Sequence, residues 1–214
     1  PVKSKVASKP VKRKVTNGDV ENFPWDYAYY TGTIKNSKPD GYGKLCRNPG
    51  SQVGYEGYWV DGKQTGTGTQ YYYWGETIEY TGEFNEGRFH GHGKWYPYKH
   101  STLKYHEGEF WDGGYVSGTS YFLNGDVYKG PADYFNRKAV KGAYTFSNGD
   151  SYSGEFTGCK MNGAGYYYWK ATNTGRMEYQ GFFKDNAMEG EGRLFFPVSG
   201  QKQTKLYYGF FKKL

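Results

Sequence analysis

Apolar and polar residues alternate along most of this chain, and glycine interrupts the alternation at regular intervals. Tyr55, Gly57 and Trp59 lie two residues apart, with Glu56 and Tyr58 between them. On an extended strand the first three share one face and the other two occupy the opposite face. The pattern Tyr-x-Gly-x-aromatic, or a close variant, opens at Tyr30, Tyr55, Tyr80, His106, Tyr128, Tyr152, Tyr179 and Tyr207, which sets a unit of about 22 to 28 residues. A unit this short cannot enclose a core alone. It must bury its apolar face against its neighbours, so the chain reads as an extended array of stacked supersecondary units.

A Gly-x-Gly follows at a fixed offset in five copies: Gly32 to Gly41 and Gly43, Gly57 to Gly66 and Gly68, Gly82 to Gly91 and Gly93, Gly154 to Gly163 and Gly165, Gly181 to Gly190 and Gly192. Between the two signals stand Asp61-Gly62, Glu86-Gly87, Asp112-Gly113, Gly158-Cys159 and Asp185-Asn186, nearly all of them types that tolerate positive φ at a two-residue hairpin tip. Each copy is therefore predicted to be one β-hairpin. In the simplest register Val60 pairs with Lys63, Gly57 falls opposite Gly66, and Tyr55 falls opposite Gly68. Asn124-Gly125 and Asn148-Gly149 supply return turns between copies. The whole is predicted to be all-β, a twisted antiparallel meander of consecutive hairpins. Ser117, Thr119, Ala139 and Lys141 interrupt the glycine pattern, so an irregular bend or bulge is expected between Gly113 and Gly142.

Aromatic residues make up 21% of the chain, while leucine and isoleucine together number eight, too few for a packed aliphatic core. Tyrosine suits a half-buried face, covering apolar area while its hydroxyl reaches a polar partner. The segments opening at Tyr55 and Tyr80 resemble MORN repeats (membrane occupation and recognition nexus), and the resemblance extends from about Tyr30 to the C-terminus. It implies a single-layer sheet of hairpins with aromatic side chains lining a groove. It also implies a setting among cytoskeletal scaffolds, ciliary radial-spoke components, junctional membrane proteins or appendages of enzymes.

Charge is uneven. The net charge is +7, and Lys3, Lys5, Lys9, Lys12, Arg13 and Lys14 account for six of it with no acid among residues 1 to 15. Residues 1–20 are expected to be a basic tail, disordered alone and able to lie on an acidic surface such as tubulin or anionic lipid. Residues 21–29 are expected to link and cap, with Phe23 and Trp25 covering the first strand edge, and residues 30–214 to form seven repeats and a partial eighth. Open edge strands invite homo-oligomer formation or pairing with another chain. The sequence carries no long apolar run and no recognisable leader. Cys46 and Cys159, five hairpins apart, are too distant to pair.

Catalytic and metal-binding constellations find little support. The four histidines lie between His90 and His106, but His90 falls opposite Glu83, and a cross-strand polar pair accounts for it without a metal. No phosphate-cradling loop is recognisable. Glu56, Glu83, Glu107, Glu109 and Glu155 recur on the face opposite the aromatic row and read as a solvated surface. No cofactor is expected, the near-neutral array disfavours nucleic acid, and the chain is read as non-catalytic.

What remains is the aromatic row itself. Tyr55, Trp59, Tyr80, Phe84, Phe110, Tyr152, Phe156, Tyr179 and Phe183 are expected to line a groove whose upper side is free for other protein subunits. The reading is a scaffold that docks proteins in a cytoskeletal assembly, cytoplasmic and associated with a cilium or axoneme. Its rival is a peripheral membrane adaptor that binds anionic phospholipid through the tail and the array.

Overall fold

In the computed structural model the described residues are 15–99, 101–134, 139–173, 175–197 and 204–212. The six basic tail residues lie outside them. Contacts divide the chain into two units, Pro1–Tyr98 with Trp111–Gly113 and Lys99–Phe110 with Gly114–Leu214. The first holds β1 (Asn17–Trp25), β2 (Ala28–Lys35), β3 (Lys38–Cys46), β4 (Val53–Val60), β5 (Lys63–Tyr71), β6 (Ile78–Asn85) and β7 (Arg88–Trp95). The second comprises β8 (Leu103–Trp111), β9 (Gly114–Phe122), β10 (Val127–Pro131), β11 (Val140–Thr145), β12 (Ser151–Thr157), β13 (Lys160–Tyr168), β14 (Glu178–Lys184), β15 (Ala187–Pro197) and β16 (Thr204–Phe211). Within each unit the strands neighbour one another in chain order without a crossover. The fold is an antiparallel all-β meander, and burial alternates along the strands as the sequence pattern requires: Tyr55, Gly57 and Trp59 of β4 are buried while Tyr58 and Val60 are exposed.

The hairpin tips follow from the sequence. Asp61 and Gly62 take φ of 49° and 82°, and the tips at Glu86-Gly87, Asp112-Gly113, Gly158-Cys159 and Asp185-Asn186 likewise place both residues at positive φ. Two left-handed residues make the turn whose twist matches that of the flanking strands.

Two features depart from expectation. Residues 17–20, expected in a disordered tail, belong to β1, which pairs with β2 from Asn17↔Lys35 to Trp25↔Ala28. A strand edge at β2 offers a row of backbone partners, and residues 17–25 satisfy them despite carrying no Tyr-x-Gly signature. Second, Val60 does pair with Lys63, but Gly57 faces Gly68 and Tyr55 faces Gln70, because the register slips by two residues between Gly57 and Trp59. Gly66 sits in the slip at φ 61°. The same slip recurs between Gly82 and Glu83, where Gly82 faces Gly93 and Glu83 faces His90. The first glycine of Gly-x-Gly is thus a bulge residue, and only the second lies opposite the motif glycine. The irregular bend expected between Gly113 and Gly142 falls after a regular strand pair: β9 and β10 run from Tyr121↔Val127 to Ser117↔Pro131. Ala132–Tyr134 then turn through one short 3-10 segment.

Neighbouring hairpins are tied at their tips. The Gly62 amide donates to Pro39 O (2.8 Å), Gly87 to Gln64 O (2.9 Å) and Asn186 to Met161 O (3.1 Å). Ion pairs follow the same step: Lys38 to Asp61 (2.6 Å), Lys63 to Glu86 (3.0 Å), Arg88 to Asp112 and Lys160 to Asp185 (2.9 Å). These pairs are exposed and screened by solvent, so the backbone bonds and the aromatic packing between hairpins carry the stacking.

Candidate functional site

Each repeat is built around its first tyrosine. The ring of Tyr55 lies across the glycine pair Gly57 and Gly68, and a methyl group added at Gly57 would fall 2.5 Å from Tyr55 Oη and 2.5 Å from Gly68 Cα. Tyr80 covers Gly82 and Gly93 in the same way. No side chain fits beneath the ring, which is why those positions lack one. The hydroxyl then turns back to the backbone three residues on: Tyr30 donates to Thr33 O (3.0 Å), Tyr55 to Tyr58 O (3.2 Å), Tyr80 to Glu83 O (3.1 Å), Tyr152 to Glu155 O (2.9 Å) and Tyr179 to Phe182 O (3.2 Å). Burial pushes the Tyr30 phenol up to about 12, with Asp40 and Asp19 adding to it, and raises Tyr55 and Tyr152 as well.

The third motif position completes the row through edge-to-face contacts. Trp59 meets Tyr30 at 5.5 Å and Tyr55 at 5.2 Å between ring centroids, and Phe84 meets Tyr55 at 4.9 Å and Tyr80 at 5.2 Å. In the second unit Phe156 packs between Tyr128 and Tyr152, and Phe183 between Tyr152 and Tyr179. Trp59, Phe84, Phe156 and Phe183 therefore each wedge between the tyrosines of two repeats, the geometry aromatic quadrupoles favour.

This packing corrects the expected site. Tyr55, Trp59, Tyr80, Phe84, Phe110, Tyr152, Phe156, Tyr179 and Phe183 are all between 0% and 4% exposed. They form the core and offer a partner no surface. A sheet one strand thick was expected to leave one side of the rings bare; instead the rings of adjacent repeats, and residues such as Phe89 stacked 4.0 Å from Tyr80, cover them. Trp25 contributes at the first unit, its indole lying against the Gly62 tip.

The recurring glutamates also differ from a plain solvated surface. Glu83 accepts the His92 amide at 3.0 Å and Glu155 the Ala164 amide at 3.2 Å, each beside the bulge glycine. They cap the slip in register. His90, opposite Glu83, lies 4.6 Å from the Trp111 ring. No group of three His, Cys, Asp or Glu among the described residues is arranged to hold a metal. Cys46 and Cys159 are free thiols.

Sequence reasoning missed two polar motifs. Asp126 and Asp150 each follow an Asn-Gly turn, and each carboxylate ties that turn to the next strand pair: Tyr144 and the Ser147 amide donate to Asp126 at 2.8 Å each, and Tyr167 and the Lys170 amide donate to Asp150 at 2.8 and 2.7 Å. Burial pushes both carboxyls up, but these bonds outweigh it and hold them below the ordinary carboxylate range. The repeated Asn-Gly-Asp was the available signal. At the fourth repeat His106 takes the tyrosine position, shares a 2.7 Å hydrogen bond with buried Ser120 and stacks 4.2 Å from Tyr115. Burial lowers its pKa to about 4.

The aromatic surface that solvent does reach lies elsewhere. Tyr42 and Tyr58 meet edge to face at 5.4 Å on the opposite side of the first unit. Between β5 and β6, Tyr72 and Tyr73 cluster with Tyr98 at 5.0 and 5.1 Å. Tyr73 is 77% exposed and held at φ 48°, and the Tyr72 hydroxyl is anchored on Tyr96 O at 2.7 Å.

The sequence matches the MORN repeat family at residues 30–52, 55–77, 80–97, 134–151 and 179–201. The chain is a MORN-repeat protein. The matches begin at the tyrosines that open four of the hairpins, and the intervening MORN unit at Tyr152 has the same ring-over-glycine construction without a match of its own. MORN repeats point to a binding role, toward proteins or membranes, on a fold that is typically non-catalytic. No curated protein matches the sequence. No helix among the described residues is long and apolar enough to cross a membrane.

Proposed function

We propose that this MORN array is a non-catalytic scaffold that docks protein subunits of a larger cytoskeletal assembly, of which a cilium or axoneme is the favoured setting. The observation that carries the reading is the Tyr72–Tyr73–Tyr98 cluster. An aromatic residue at positive φ is strained by roughly 1–2 kcal/mol, and here the strain presents Tyr73 to solvent on a foot anchored by the Tyr72 hydroxyl. Exposed, ordered tyrosines of this kind supply the amphipathic anchors of protein interfaces. The buried row plays the supporting part, fixing the spacing of the hairpins that carry such residues.

The test is detergent extraction of cells expressing the wild-type chain or Tyr73→Ser/Tyr98→Ser, with purified samples compared for melting temperature. Retention of the wild type in the cytoskeletal fraction, with release of an equally stable variant, supports the reading. Release of both at moderate salt, with binding to anionic vesicles that salt abolishes, would move the role to a lipid adaptor acting through the basic tail.

A further inference from the structure

In the repeat pattern the third residue after the motif tyrosine points away from the buried row; it is Thr33, Glu83, Glu109 and Glu155 in four copies, and Tyr58, whose ring still carries a hydroxyl, and Pro131 in two others. Glu83 and Glu155 are the carboxylates that cap the bulge amide. In the two consecutive repeats opening at Tyr179 and Tyr207 the position holds Phe182 and Phe210, which are 55% and 69% exposed. A phenyl ring has no capping capacity, so the substitution forgoes a hydrogen bond and places apolar surface in water, twice in succession. Neither local stability nor the repeat pattern requires it.

The two rings stand on β14 and β16, on either side of β15. Register places Glu191 opposite Phe210 and Arg193 opposite both Gln180 and Tyr208, all on this same face. Two strand spacings separate β14 from β16, about 10 Å, so rings some 3.5 Å thick leave a slot about one aromatic side chain wide. Its floor is Gly190, a bulge glycine whose added methyl group would meet Phe182 Cβ at 3.8 Å. The concavity measures about 760 Å³, and Lys184, Glu189 and Lys212 stand along its lining. Tyr166 and Tyr208, 40% and 62% exposed, continue the aromatic surface on the same face.

We propose that this face pairs with the same face of a second copy of the chain, about a two-fold axis, with a phenylalanine of each copy entering the slot of the other. Two features favour a second copy over a differently charged partner. First, the rim carries both signs in close alternation: Lys184 and Glu189 are already paired at 3.4 Å, and Glu191 and Arg193 are exposed two residues apart on β15. A patch of interleaved sign complements itself on rotation by 180° and presents no uniform field to a strongly acidic or basic surface. Second, the areas agree. Four rings of this size, about half exposed, offer on the order of 400–500 Å² of aromatic surface. The charged rim brings this near the ~800 Å² per partner of a specific interface, with an apolar centre and a polar edge. This association goes beyond the docking role proposed for Tyr73, which is in the other unit and is unaffected by it.

The experiment is sedimentation equilibrium of the full chain from about 1 to 100 µM, beside Phe182→Glu/Phe210→Glu and the milder Phe182→Ser/Phe210→Ser, each checked by far-UV circular dichroism and thermal melting. The wild type is expected to move from the monomer mass of 24.5 kDa to twice that mass across the range. The serine pair is expected to raise the dissociation constant on the order of 100-fold at an unchanged melting temperature, and the glutamate pair to abolish association. A wild type that stays monomeric at 100 µM overturns the proposal. So does a dimer that persists in a folded serine variant, because the association would then use another surface.

Discussion

The indole of Trp25 rests against Gly62, so closely that a methyl group on Gly62 would fall 2.5 Å from the ring. One residue sits at the end of β1 and the other at the tip of the β4–β5 hairpin, and nothing in the local pattern around either links them. Gly87 is the natural control: it has φ 83° against 82° for Gly62, but its nearest neighbour would be Gln64 Oε1 at 3.6 Å. Gly87→Ala should therefore cost about 1–2 kcal/mol, the price of a left-handed alanine alone. Gly62→Ala should cost more, and Trp25→Ala should remove that excess. Chemical denaturation of the wild type, the three single variants and the Trp25→Ala/Gly62→Ala double variant checks this; equal losses for the two glycine variants would show that Trp25 has no hold on the tip.

Removing a wedge residue is a core mutation in this structure. Trp59→Ala and Phe84→Ala are each expected to lose about 3–5 kcal/mol, against about 1–2 kcal/mol for Tyr55→Phe, which removes only the hydroxyl bond to Tyr58 O. Partner affinity per folded molecule should not change, because both side chains are buried. Circular dichroism melts, read with a binding isotherm corrected for the folded fraction, separate the two effects.

His106 gives the array an acid-sensitive joint. Its folded pKa of about 4 lies below the model-peptide value of 6.5, so below pH 6.5 the unfolded chain takes up a proton that the folded chain refuses. The neutral-state stability is present in full above 6.5 and is lost as the pH falls from 6.5 toward 4, by an amount on the order of 3 kcal/mol. Melting temperature followed from pH 7.5 to 4 should show this limb in the wild type. It should be missing in His106→Phe, although that variant starts lower because Ser120 loses its partner.

Asp126 and Asp150 predict a second limb at lower pH. Their carboxyls are held below the ordinary range in the fold, so their stabilisation is present above the unfolded value near 4 and disappears as the pH falls through the folded one. Asp150→Asn should destabilise by about 1–3 kcal/mol at neutral pH and flatten the melting curve below pH 4, while leaving the His106 limb in place. An unchanged slope in that variant would mean that the carboxylate does not hold the Asn-Gly turn.

Much of the fold was legible because its information is local. Two-residue spacing assigns faces, a pair of residues that accept positive φ marks each tip, and a glycine under each tyrosine keeps the ring's footprint clear. Those features recur by sequence offset alone, and so the hairpins, their tips and the family could be read from the chain. The slip at Gly66 and its counterparts at Gly91 and Gly163 were not legible, because a pairing rule applied outward from the tip assumes that no extra residue enters one strand. The part of β1 at residues 17–20 was hidden for a related reason: it is held by the open edge of β2 rather than by a pattern of its own.

The sequence by itself determined which residues are aromatic, how far apart they recur and on which face of a strand they stand. Only the tertiary structure decided which face solvent reaches. Trp59, Phe84, Phe156 and Phe183 each pack between tyrosines of two repeats, and that mutual burial arises from stacking, which no single repeat contains. It turned the expected groove of Trp59, Phe84 and Phe183 into core and left other aromatic residues, Tyr73, Phe182 and Phe210 among them, exposed to solvent.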